Sequence, residues 1–140
     1  MKLFRFMSEE EFNKYKNGEK LINTKNHNKE NNKKTNSIGF CFFNYAHYNP
    51  EEMLHSVTGV VNLDICCMFE TQRENVQKTW GRYARTIDEE RMIRESFIAN
   101  EYCTTEYSKE TFKLIKYAIP DWFNSIEWNW IEYKNKKKYI

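Results

Sequence analysis

Glycine and proline are scarce, with four and two in 140 residues. A chain this poor in both is not a Pro/Gly-rich disordered or fibrous sequence. Cysteine is confined to Cys41, Cys66, Cys67 and Cys103. No two of these form a Cys-x-x-Cys pair, and no histidine stands at ligand spacing from them, so the pattern excludes a zinc finger or ribbon. Cys66 and Cys67 are adjacent, and a strand would send them to opposite faces. All four lie in apolar or β-rich runs and read as small buried hydrophobes, reduced in a cytosol. His27, His47 and His55 are far apart, so no metal is expected. No apolar run approaches the length of a membrane span. The opening MKLFRFMSEEE turns acidic too early for a signal peptide. The expected setting is therefore cytoplasmic, with no membrane partner. A one-signed charge is also lacking: 22 Lys and Arg against 20 Asp and Glu leave +2, short of the basic excess of a dedicated nucleic-acid binder.

What is present is apolar and aromatic. Hydrophobic residues make up 40% of the chain and aromatic ones 16%, enough for a core of one domain. Lys2–Met7 reads as a strand. Ser8 and Glu11 form a capping box in which Ser8 caps and Glu11 reaches back to it. Phe12 and Tyr15 share a helix face, and Asn17-Gly18 ends that helix. Lys20–Asn23 is extended, and Thr24–Asn36 is an Asn/Lys-rich polar loop. Ser37–Phe43 is strongly β-like, and Gly39 inside it marks a bulge or the close approach of a ligand or backbone.

Asn49-Pro50 starts a second helix, which Gly59 closes. Val60–Phe69 alternates as a half-buried strand. Glu70–Arg85 reads as helix or loop. Thr86-x-x-Glu89 is a second capping box. Tyr102–Tyr107 reads as a strand, Ser108–Tyr117 as a helix stopped by Pro120, and Asp121–Tyr133 as a last strand because Trp128 and Trp130 alternate. The expected architecture is α+β: residues 1–133 form a single compact domain with a twisted, largely antiparallel sheet and flanking helices, and residues 134–140 form a basic tail. Richness in Asn, Lys, Ile and Tyr suits the AT-rich coding of a low-GC bacterium or its phage.

Three segments together bear on function: Phe4-Arg5-Phe6-Met7-Ser8 before a capped helix and Gly18, Gly39-Phe40-Cys41-Phe42-Phe43, and Asn100-Glu101-Tyr102-Cys103-Thr104-Thr105-Glu106. Their order and spacing resemble the ADP-ribosyltransferase superfamily, over roughly residues 2–117. The first strand lacks His-x-Thr, the middle strand lacks Ser-Thr-Ser, and no Glu-x-Glu or Gln-x-Glu ends the third. The resemblance implies NAD as cofactor. It makes Glu101 the carboxylate that stabilises positive charge on the ribose as the nicotinamide bond breaks. Arg5 would bind a phosphate or ribose through its donor fork. Ser37 would be the hydroxyl of the middle strand, Phe40 or Phe42 would stack on nicotinamide, and His27 would belong to a lid. The target would be a host protein or nucleic acid.

Each residue also has a plain structural role. Arg5 suits an ion pair with Glu101 or Glu70, Glu101 suits a solvated strand end, and Phe40, Phe42 and Phe43 suit the core. The alternative function is a non-enzymatic phage protein that occupies a surface of a host-defence component such as a CRISPR effector. Its interface candidates are Trp122, Trp128, Trp130 and the Lys134–Lys138 cluster. The two readings separate on one question, whether Arg5, Phe40 and Glu101 converge on one cleft.

Overall fold

The computed structural model describes residues 1–25, 38–46, 49–56, 64–79, 101–121, 123–124 and 126–134. Within them lie β1 (Lys2–Met7), α1 (Glu9–Lys16), β2 (Leu21–Ile22), β3 (Phe40–Asn44), α2 (Pro50–Ser56), β4 (Ile65–Thr71), a 3₁₀ turn (Arg73–Asn75), β5 (Gln77–Lys78), β6 (Glu101–Thr104), β7 (Glu106–Tyr107), β8 (Phe112–Ala118) and β9 (Ile131–Glu132). Seven strands form one sheet in the order β5-β6-β3-β1-β4-β8-β9, and β2 pairs with β7 in a small second sheet. Every pairing is antiparallel. The chain is α+β, as expected.

Helix α1 begins where the capping signal places it. Ser8 is extended, and its hydroxyl accepts from the Glu11 N–H at 3.1 Å. Phe12 and Tyr15 are buried against the sheet. Beyond the Asn17 cap the chain turns at Gly18, whose φ of +80° suits glycine. Helix α2 starts at Pro50 with the Asn49 side chain accepting from the Glu52 N–H at 2.8 Å.

The sheet is covered on both faces. On one, α1 and the β2–β7 pair cover Leu3, Met7, Phe42, Cys67, Phe69 and Phe112. The rings of Phe42, Phe69 and Phe112 all contact Tyr107, at centroid separations of 5.4–5.9 Å. On the other face Met53 and Leu54 of α2 pack with Phe4, Phe6, Cys66, Ala118 and Trp128. This two-sided cover corrects the expectation of a half-buried strand: Cys66, Cys67, Met68 and Phe69 of β4 are all buried.

Further corrections concern the second half of the chain. Of the expected helix or loop Glu70–Arg85, Glu70 and Thr71 end β4, the 3₁₀ turn and β5 follow, and residues 80–85 lie outside the described residues. The expected strand Tyr102–Tyr107 breaks at Thr105 into β6 and β7. The expected helix Ser108–Tyr117 is a turn followed by β8. Of the expected strand Asp121–Tyr133, only Ile131–Glu132 is strand among the described residues, and Trp122 and Ser125 lie outside them. The second capping box at Thr86, the Gly59 stop and most of the Thr24–Asn36 loop lie outside the described residues.

Strand β8 carries a register shift opposite Met68 and Phe69. The Tyr15 hydroxyl serves the adjoining backbone, donating to the Phe112 carbonyl and accepting from the Leu114 N–H at 3.0 Å. It thus ties α1 to β8 as a neighbouring strand would.

Candidate functional site

Arg5 sits in a strand whose neighbours are almost all apolar, so its charge must find a partner before burial becomes affordable. The partner is Glu11, in the first turn of the helix that β1 feeds. Arg5 Nε and Nη2 donate to Glu11 Oε2 and Oε1, each at 2.7 Å, and Nη1 donates to the Cys41 carbonyl at 3.1 Å. The guanidinium lies 5.1 Å from the Phe40 ring centre and 5.8 Å from that of Phe42. The Tyr107 hydroxyl completes the cluster by donating to Glu11 Oε2 at 2.5 Å.

The electrostatics follow from this closure. Burial alone would lower the Arg5 pKa, but the hydrogen bonds and charge of Glu11 reverse that and hold it above its ordinary value. Burial pushes the Tyr107 hydroxyl far up, and the Glu11 charge pushes it further. The cluster is a neutralised pair with a bound phenol. Each of the three Arg5 nitrogens already donates to a protein oxygen.

Two expectations about these residues need correction. The capping-box pattern sends the Glu11 carboxylate back to the helix cap, but Arg5 and Tyr107 take it instead. The structural partner foreseen for Arg5 was Glu101 or Glu70, and Glu11 fills that place. The missed signal is an arginine on a strand followed, after a tight Ser cap, by a carboxylate in the first helical turn.

Glu101 does not join this group. It opens β6 and pairs with Phe43, while Tyr102 pairs with Phe42. Side chains alternate along a strand. Tyr102 and Phe42 lie in the core on the α1 face, where Arg5 also lies, so Glu101 and Phe43 face the other side of the sheet. Among the expected site residues the structure therefore brings Arg5, Phe40 and Phe42 together and sets Glu101 across the sheet from them. Phe40 and Phe42 are buried core residues. Ser37 and His27 lie outside the described residues. Glu106 forms an exposed ion pair with Lys20 at 3.2 Å.

A solvent-open depression of about 640 Å³ lies beside Lys20, Asn75, Thr104, Glu106 and Lys109. Its lining carries charges of both signs, and its hydroxyls are engaged locally: Thr104 donates to the Glu106 carbonyl at 2.9 Å, and Ser108 accepts from the Glu110 N–H at 3.2 Å. A shallower one of about 260 Å³ runs over Glu11 and Phe40. Among the described residues no group of three or more His, Cys, Asp or Glu could hold a metal ion, and no helix is long and apolar enough to cross a membrane.

The connection between β8 and β9 presents a different surface. Trp128 is buried there, with its ring edge-on to Phe6 at 6.1 Å. Its indole N–H reaches the carbonyls of Asp121 and Asn124, at 3.2 and 3.0 Å. The Asp121 side chain accepts from the Phe123 N–H, and the Asn124 side chain from the N–H groups of Ile126 and Glu127. Local hydrogen bonds thus shape a loop around an anchored indole, and that loop holds Phe123 at 100% and Ile126 at 89% exposure. Ile119, on the same connection, is exposed as well. Of the expected interface residues, Trp128 is a core residue. Trp130 is half-buried and donates to Glu51 Oε1 at 2.7 Å. Trp122 and residues 135–140 of the tail lie outside the described residues.

No protein-family model, curated protein or solved structure matches the chain.

Proposed function

We infer that this chain is a binding protein that docks on another protein through the loop between β8 and β9. The carrying observation is Phe123, fully exposed beside Ile126 on a loop held by the buried Trp128. Single exposed apolar side chains are ordinary on protein surfaces. Here Ile119, Phe123 and Ile126 project from one connection whose backbone is hydrogen-bonded into shape. A preordered aromatic anchor lowers the entropy lost on docking, and such anchors dominate interface energies. A host-defence component, such as a CRISPR effector, is the partner class this reading carries forward from the sequence. The NAD-dependent transferase reading calls for Arg5 and Glu101 at one cleft, and the strand register supports their separation.

The test is capture of the partner by cross-linking from a host lysate, followed by affinity measurement with the purified partner. Phe123→Asp and Ile126→Asp are each expected to weaken binding about thirtyfold, the equivalent of a hot spot of ~2 kcal/mol. Unchanged affinity in both variants would remove the loop from the interface. Incubation with labelled NAD and lysate tests the rival reading. Label transfer that disappears in Glu101→Gln would overturn the present one.

A further inference from the structure

Cys41 on β3 and Cys103 on β6 are directly opposed in the antiparallel register. Antiparallel strands alternate between hydrogen-bonded pairs and closer non-hydrogen-bonded pairs. Three observations place Cys41 and Cys103 in the second class. The Glu101 carbonyl accepts from the Thr79 N–H, so Glu101, and Cys103 two residues on, turn their backbone groups toward β5. The Cys41 carbonyl turns toward β1, where Arg5 takes it. The Thr104 carbonyl lies against Gly39, so it is Thr104 that turns toward β3. In a non-hydrogen-bonded pair the Cα atoms stand about 4.5 Å apart with side chains on one face. That separation lies within the range a disulfide spans.

We propose that Cys41 and Cys103 are a thiol pair that closes into a cross-strand disulfide when the protein meets an oxidised low-molecular-weight disulfide. Cys41 is partly exposed and is the point of entry. Its thiolate attacks one sulfur of the small disulfide, forms a mixed disulfide and releases one small thiol. Cys103 then loses its proton to solvent and attacks Cys41 Sγ, releasing the second small thiol. Two protein thiols are oxidised to one disulfide, and one small disulfide is reduced to two thiols. Burial raises the Cys103 thiol pKa, and the Ile38 backbone, which hydrogen-bonds to that sulfur, offsets part of the rise. This makes Cys103 the slower, resolving partner.

Cys66 and Cys67 are poor competitors. They are neighbours on β4, both buried, and they pack into opposite cores, Cys67 under α1 and Cys66 beside α2. The proposal is independent of the docking reading, because the pair lies on the sheet and away from the β8–β9 connection.

The experiment treats the folded, reduced chain with oxidised glutathione and follows it by intact mass and peptide mapping. The expected result is loss of two hydrogens and a cross-linked peptide pair carrying Cys41 and Cys103, both lost in Cys41→Ala. Alkylation of the oxidised wild type after denaturation gives a readout that needs no variant. It should label Cys66 and Cys67 and spare Cys41 and Cys103 until a reductant is added. A stable glutathione adduct on Cys41 without closure, a cross-link involving Cys66 or Cys67, or four alkylated cysteines would each overturn the proposal.

Discussion

Arg5 and Glu11 bind each other through two parallel hydrogen bonds of 2.7 Å, with only 15% and 14% of their side chains exposed. This two-point grip locks the first strand to the first helix. It also determines what the arginine can do, since a fork already filled by a carboxylate is not offered to a phosphate. Breaking a buried pair by removing one partner leaves an uncompensated charge. Glu11→Ala is therefore expected to cost about 3 kcal/mol, measured by urea denaturation. The triple variant Arg5→Met, Glu11→Leu, Tyr107→Phe should recover most of that loss, because it removes both charges together with the hydroxyl that donates to Glu11, and it keeps the volume.

Stability should fall on the alkaline side. Burial pushes the Tyr15 hydroxyl up to about 12 from 10.0, and raises Tyr107 further. The Cys66 and Cys67 thiols are raised by burial from 9.0. In the unfolded chain these groups lose their protons near their ordinary values, while the folded chain keeps them. The unfolded state then binds fewer protons, and stability is lost as pH rises. Below pH 9 the contribution is fully present. Denaturation midpoints should decline from about pH 9 upward, and Tyr15→Phe should flatten the decline above pH 10.

Gly39 and Gly18 share a φ of +80° and should nonetheless differ in tolerance. A Cβ at Gly39 would stand 2.4 Å from the Thr104 carbonyl oxygen and 2.5 Å from that of Asn23, both backbone atoms. At Gly18 it would meet nothing within 4 Å. Gly18→Ala should cost about 1 kcal/mol, for the left-handed conformation alone. Gly39→Ala should cost several-fold more, roughly 3 kcal/mol or above, because strands must also move apart. Thermal denaturation of the two variants makes the comparison.

Trp128→Phe keeps a ring against Phe6 and removes the donor that holds the Asp121 and Asn124 carbonyls. A loss of about 1–2 kcal/mol is expected for a donor deleted from a part-buried site. Hydrogen exchange at the Phe123 and Ile126 amides should quicken by more than exchange in β1. In contrast, Phe123→Asp should leave stability within about 0.5 kcal/mol, since its side chain is entirely in solvent.

The first half of the chain was the more legible. Strand β1, the Ser8 cap, the buried Phe12 and Tyr15, and the close approach at Gly39 all rest on local signals that tertiary structure left intact. The segment after Tyr107 misled because Ser108, Glu110 and Thr111 have the chemistry of a helix start. Their hydrogen bonds instead close a turn, with the Thr111 and Phe112 N–H groups both on the Ser108 carbonyl. Phe112 and Leu114 then fall buried at the strand period. The tryptophans misled in another way. Alternation at Trp128 and Trp130 suggested a strand, whereas one indole is a buried anchor and the other a hydrogen-bond donor to α2. At the candidate site the residue types were legible and the partner was not. Which face Glu101 takes depends on the β3–β6 register, and no residue of β6 alone encodes it.

Strand β1 is first in the chain and fourth of seven in the sheet. Its neighbours come from much later sequence, with Lys2 opposite Glu70 and Leu3 opposite Asn44. During synthesis β1 must therefore wait for both of these sheet partners until β3 and β4 leave the ribosome. Such distant pairings slow folding and lengthen exposure to aggregation. Arg5 breaks the apolar run Leu3–Met7 and stays charged throughout that interval. The residue that later closes the buried pair is thus also the gatekeeper of the nascent strand.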